Sequence, residues 1–125
     1  MKKAVAEILT ISEKSFVDTD FHTATTVEPL EELIDDLRDQ IKLRHTIRLQ
    51  KSLCSIELGF ILSDILTNLE RVSDHCSNIA GCVLDMAQND MHLHESIRAI
   101  RADETHFKQR YDAYALAYAL PAMPE

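Results

Sequence analysis

A chain of 125 residues with two glycines and three prolines can make few turns, so it is expected to form one domain, 1–125, from a few long elements. Its formal net charge of −8 repels phosphate backbones, which argues against nucleic acid and for cations or basic partners. No apolar run approaches the ~20 residues that cross a bilayer, and Glu7 falls where a leader needs apolar residues, so a cytoplasmic chain is expected, or a piece of a larger protein.

The first periodic stretch runs from about Lys2 to Val17, with Val5, Ile8, Leu9 and Phe16 as its apolar face and Ser12 interrupting it. Asp18-Thr19-Asp20 reads as a turn or cap. The second stretch runs from about Asp20 to Leu49 as one helix kinked at Pro29, although Thr25 and Glu28 have the spacing of a capping box. Leu30, Leu33, Ile34, Leu37 and Ile41 form its apolar stripe.

The third stretch is the longest. Ser55 is its N-cap, and it is expected to end near Gln88-Asn89-Asp90, on the order of 50 Å away. Leu62, Leu69, Cys76 and Val83 recur every seven residues, as do Leu58, Ile65, Val72, Ile79 and Met86, which predicts an a/d seam. Gly59 and Gly81 lie inside this helix, where they are expected to allow close helix approach. A fourth stretch, from about Leu93 to Leu120, carries Leu93, Ile97, Ile100, Phe107, Tyr111, Tyr114 and Tyr118, with Glu104 as a polar break. The expected architecture is all-α: an antiparallel three- to four-helix up-down bundle with one long central helix. Cys54, Cys76 and Cys82 fit no zinc-ribbon or CxxC spacing and are expected to be reduced thiols.

Two acidic pairs share the spacing acid-xxx-Asp: Glu31 with Asp35, and Glu70 with Asp74. At i,i+4 both carboxylates of a pair lie on one helical face and repel each other. A bound cation removes that repulsion, and helical carboxylates ligate iron, manganese and other metals in bundles. Spacing alone does not single these pairs out. Glu28/Glu32, Glu32/Asp36 and Asp35/Asp39 repeat it, and roughly three such pairs arise by chance in so acidic a chain. Glu70 and Asp74 fall about 130–170° from the predicted seam, and Glu31 and Asp35 about 100–140° from theirs. Both pairs therefore lie outside the core, which argues against a buried di-iron centre, whose Glu-x-x-His pattern is also missing. A surface site with open coordination positions could accept phosphate.

His75 follows Asp74 but points about 100° away from it. His45 and His75 are the candidates for a histidine-phosphotransfer bundle, an alternative reading; a plain helical interaction module is another. No nucleophile elbow, P-loop or glycine-rich phosphate cradle is present, so no catalysis is expected.

The segment Leu66-Thr67-Asn68-Leu69-Glu70-Arg71-Val72-Ser73-Asp74-His75-Cys76-Ser77-Asn78-Ile79-Ala80 resembles the signature of the PhoU family. Glu28-Pro29-Leu30-Glu31-Glu32-Leu33-Ile34-Asp35-Asp36-Leu37 is similar to that family's other acidic motif. Arg44-His45, Leu49, Cys54–Gly59 and Tyr118-Ala119-Leu120-Pro121 resemble one branch, the cytosolic C-terminal domain of bacterial sodium/phosphate cotransporters. The likeness covers most of the chain from Glu28 onward. It implies a helical bundle that controls phosphate uptake or phosphate signalling. It also implies surface iron or zinc on the acid-xxx-Asp motifs, with Glu31, Asp35, Glu70 and Asp74 as ligand candidates. The partners it admits are the membrane part of a phosphate transporter and inorganic phosphate; a homodimer is also open. The chain has one such repeat where regulators of the family usually have two, and Asn68 stands where relatives often place an acid.

Overall fold

In the computed structural model, which describes residues 1–89 and 104–123, no strand occurs among those residues. The helices are α1 (Lys2–Val17), α2 (Phe21–Ala24), α3 (Val27–Gln50), α4 (Ile56–Gln88) and α5 (Glu104–Ala117). The all-α bundle expected from the sequence is what forms. Cys54, Cys76 and Cys82 are free thiols.

Helix α1 has the predicted ends, but its inner face differs. Ala4, Val5, Ile8, Ser12 and Ser15 are buried, while Leu9 and Phe16 are exposed. Ser12 belongs to the core because its hydroxyl is satisfied locally, donating to the Leu9 carbonyl at 3.0 Å; Ser15 donates likewise to Ser12 at 2.8 Å. After α1 the chain reverses through Thr19, which takes a positive φ of 50°. The Asp20 side chain then caps α2 through the Thr23 amide.

The kinked helix expected across Pro29 is replaced by a break. In a continuous helix the Pro29 ring would collide with the carbonyl of Thr25 and remove a hydrogen bond. The chain instead ends α2 at Ala24 and restarts α3 at Val27, so that Pro29 sits in a first turn, where its missing N–H costs nothing. The Thr25–Glu28 capping box does not form. Thr26 is the N-cap, and the hydroxyls of Thr25 and Thr26 turn back to the carbonyls of His22 and Thr23.

Helices α1, α3 and α4 pack against one another, and α5 lies on α3. The core joins Ala4, Val5 and Ile8 of α1, Val27, Leu30, Leu33, Ile34 and Leu37 of α3, and Cys76, Ala80, Val83, Leu84 and Ala87 of α4. Helix α5 is tied down by three phenols. Tyr114, buried, donates to the Thr26 carbonyl at 3.3 Å, Tyr111 donates to Asp36, and Tyr118 donates to Glu7. Phe107, Tyr111 and Tyr118 are half-buried. Leu93, Ile97 and Ile100, predicted for the same face, lie outside the described residues.

Helix α4 starts at the predicted Ser55 cap, whose hydroxyl accepts from the Leu58 amide, and ends at Gln88. Half of its predicted seam is corrected. Cys76 and Val83 are buried, and Leu62 and Leu69 half-buried, as expected. The companion row is Leu66, Ser73, Ala80 and Ala87, not Leu58, Ile65, Val72, Ile79 and Met86, all of which are exposed except the half-buried Val72. Three of the four residues in the buried row are small, which lets α1 and α3 approach closely. The glycines divide in the same way. A Cβ on Gly59 would lie 2.5 Å from Nε2 of His45, so any other residue there would have to displace the His45 ring. At Gly81 nothing lies within 4 Å among the described residues, so none of them approaches closely there.

The core does not extend along the whole hairpin of α3 and α4. The last buried residue of α3 is Leu37 and the first of α4 is Leu66, and none from 38 to 65 is buried. Helix α1, at 16 residues, is about half as long as the 33-residue α4 and cannot cover it all.

Candidate metal centre

The α3–α4 packing that buries Leu33, Ile34 and Leu37 turns the next positions round α3 toward the flank of α4. Glu31 and Asp35 lie one turn apart on α3, and Asp74 approaches them from α4. One carboxylate oxygen from each of the three falls within 4.8 Å of the other two. Because the buried row of α4 runs through Ser73 and Ala80, Glu70 and Asp74 stand about 90° and 130° from its inner face, nearer to α3 than the predicted seam implied.

Glu70, the fourth candidate, is held apart from this trio. Arg38, one turn beyond Asp35, forms an ion pair with Glu70 across the helices. It also donates to Asp35 at 3.2 Å and to Asp39 at 3.0 Å. The Arg38 side chain is 18% exposed, and its hydrogen bonds to Asp39 and Glu70 hold the guanidinium firmly in its charged form. Sequence reasoning passed over Arg38. The available signal was its i,i+3 spacing from Asp35 in a run of acids.

The acids are crowded. Burial, then the neighbouring charges of Asp35 and Asp74, push the Glu31 carboxyl up to about 7. Burial also raises Asp35, with Glu70 and Asp74 adding to the rise and Arg38 opposing it. Such groups are unfavourable to folding when ionised. Below the ordinary carboxyl value of 4.5, folded and unfolded chains both hold the Glu31 proton. As pH climbs from there toward about 7 the unfolded chain ionises first, so stability is lost across that window. In chelator, the melting temperature of the native sequence is expected to fall more steeply from about pH 5 to about pH 8 than that of Glu31→Gln. Parallel profiles would show that the crowding has no energetic consequence.

Three carboxylates form an all-oxygen donor set, which suits hard cations. Their repulsion is the kind a cation relieves, and Glu31 and Asp35 are half-buried while Asp74 is exposed, which leaves one side open. The residues fit a surface metal ion held from two helices.

The histidines stand elsewhere. His45 has Nδ1 3.5 Å from Cys54 Sγ and Nε2 buried against Gly59, a packing that leaves neither ring nitrogen open to phosphoryl transfer. His75 is exposed beside an apolar groove between α1 and α4, which Leu9, Phe16, Val72 and Ile79 also line. His22 and His106 face each other with ring centroids 5.9 Å apart. His92 and His94 lie outside the described residues.

No curated protein and no solved structure matches the chain at a significant level. A family model described as the PhoU domain matches residues 1–83. The match takes in α1, which the quoted motifs did not reach, and stops short of α5. It spans Glu31, Asp35, Arg38, Glu70 and Asp74 on the two helices that bring them together. The chain belongs to the PhoU domain family.

Proposed function

We propose that this chain is a non-catalytic regulatory domain of a phosphate-transport or phosphate-signalling system, in the manner of the cytosolic C-terminal domain of bacterial sodium/phosphate cotransporters. Membership of the PhoU domain family supports the association with phosphate control. The observation that carries the mechanism is the meeting of Glu31, Asp35 and Asp74 within 4.8 Å across α3 and α4.

On this reading Glu31, Asp35 and Asp74 hold a metal ion, while Arg38 keeps Glu70 in reserve beside it. A hard cation supplies positive charge and open coordination positions to which phosphate oxygens can bind. The all-oxygen set favours iron(III), manganese or a similar hard ion over zinc. Asp74 comes from a different helix than Glu31 and Asp35, so occupancy draws α3 and α4 together on this flank. That changes the surface offered to a partner, for which the membrane part of a transporter is the first choice. Among the described residues no helix is long and apolar enough to cross a membrane, so such a part would have to be supplied from outside them.

The test is made in cells that express the protein. Glu31→Gln, Asp35→Asn and Asp74→Asn together are expected to leave the fold intact and to make phosphate uptake insensitive to external phosphate. Uptake that still responds to phosphate would contradict the reading.

A further inference from the structure

The free end of the α3–α4 hairpin carries an excess of basic side chains and a run of exposed apolar ones. From residue 40 to residue 61 the exposed Glu57 is the one acidic side chain, in a chain of net charge −8, while Lys42, Arg44, Arg48 and Lys51 all fall there. Lys42 and Lys51 are exposed, Arg48 is half-buried, and the half-buried Arg44 donates to the Pro121 carbonyl. At the tip the chain reverses through Ser52 at a positive φ of 56°, which sets Lys51, Leu53 and Ile56 around the turn. Leu53, Ile56, Leu58, Phe60 and Ile61 are 67%, 65%, 56%, 70% and 57% exposed. So many large apolar side chains left bare over nine residues mark an interaction surface.

The arrangement of these residues selects the occupant. On α4, Ile56, Leu58, Phe60 and Ile61 fan over about 200° of the helix circumference. A docked helix would be met by a single apolar stripe about 100° wide. A lipid interface, by contrast, surrounds whatever is pushed into it. Exposed apolar tips beside Lys and Arg are what anionic headgroups and the acyl boundary beneath them bind. We propose that the hairpin tip, residues 42–61, is a peripheral contact for an anionic lipid surface. Phe60, Ile56 and Leu53 enter the headgroup region, and Lys42, Arg48 and Lys51 meet the phosphates. The Glu31–Asp74 cluster lies about 20 Å back along α3, away from the negative surface. The inference does not depend on metal binding.

The protein contains no tryptophan, so Phe60→Trp places a single reporter at the tip and Phe16→Trp a single reporter at the far end of the bundle. Both are mixed, in chelator, with vesicles of phosphatidylcholine alone or of phosphatidylcholine with phosphatidylglycerol. Binding to the mixed vesicles is expected, weakening as salt rises, with a blue shift for Phe60→Trp and none for Phe16→Trp. Lys42→Ala and Lys51→Ala should each weaken binding about fivefold. Leu53→Ser with Phe60→Ser should abolish it while leaving the circular dichroism spectrum unchanged, since both side chains are exposed. Absence of binding to the mixed vesicles, as expected if the tip instead docks on a protein, would overturn the proposal. So would binding that the lysine variants leave unaltered, or a shift at Phe16→Trp without one at Phe60→Trp.

Discussion

Arg38→Met is expected to destabilise the metal-free protein by about 2 kcal/mol and to raise its affinity for cations about tenfold. Arg38 donates to three carboxylates on two helices, Asp35, Asp39 and Glu70. Hydrogen bonds to charged groups contribute roughly 1.5–3 kcal/mol each when buried and far less at the surface. This side chain is 18% exposed and Glu70 28%, so the expected loss lies toward the lower end. Methionine keeps much of the apolar stem and removes the charge. Glu70 and Asp35 then face Glu31 and Asp74 without the Arg38 charge between them, and the repulsion is relieved by a proton on Glu31 or by a metal ion. Urea unfolding in chelator and in saturating manganese measures both halves. The variant should be weaker than the native sequence in chelator and recover most of the difference with metal. Equal stability in chelator would show that Arg38 is an idle surface pair.

Ile34→Ala is expected to cost about 2–5 kcal/mol, because Ile34 is fully buried between α3 and its neighbours and its removal leaves a cavity. That corresponds to a fall in Tm on the order of 10 °C. Ile79→Ala provides the contrast. Ile79 falls on a heptad row of α4, but it is 41% exposed beside the α1 groove, and its loss should cost less than about 1 kcal/mol. Ala80→Leu, one residue on, should cost about 1–3 kcal/mol by overfilling the small-residue row. The ordering of Ile79→Ala and Ala80→Leu in a melting experiment reports which side of α4 faces the core.

That ordering also marks where the sequence stops being legible. The long helices could be read because glycine and proline are scarce and because Ser55 begins an uninterrupted apolar periodicity. The inner side of α4 could not. Its two candidate rows differ in that Leu58, Ile65, Val72, Ile79 and Met86 are large and apolar, whereas Ser73, Ala80 and Ala87 are small. Hydrophobicity favours the first row, but close packing of three helices selects the second. Pro29 misled for a different reason: a proline in a helical pattern predicts a kink at the proline, while the chain breaks fully three to four residues earlier, at Thr25 and Thr26. At the site, the acid-xxx-Asp spacing was readable but near chance in frequency. What it could not show was that α3 and α4 bring Glu31, Asp35 and Asp74 together while Arg38 draws Glu70 aside.

The most direct test is therefore calorimetric titration of the purified, chelator-treated protein with manganese or iron, compared with Asp74→Asn and Glu70→Gln. Glu31, Asp35 and Asp74 are expected to act together, so Asp74→Asn should lose binding almost entirely, while Glu70→Gln should bind as well as the native sequence. Undiminished binding in Asp74→Asn, or loss in Glu70→Gln alone, would contradict the account.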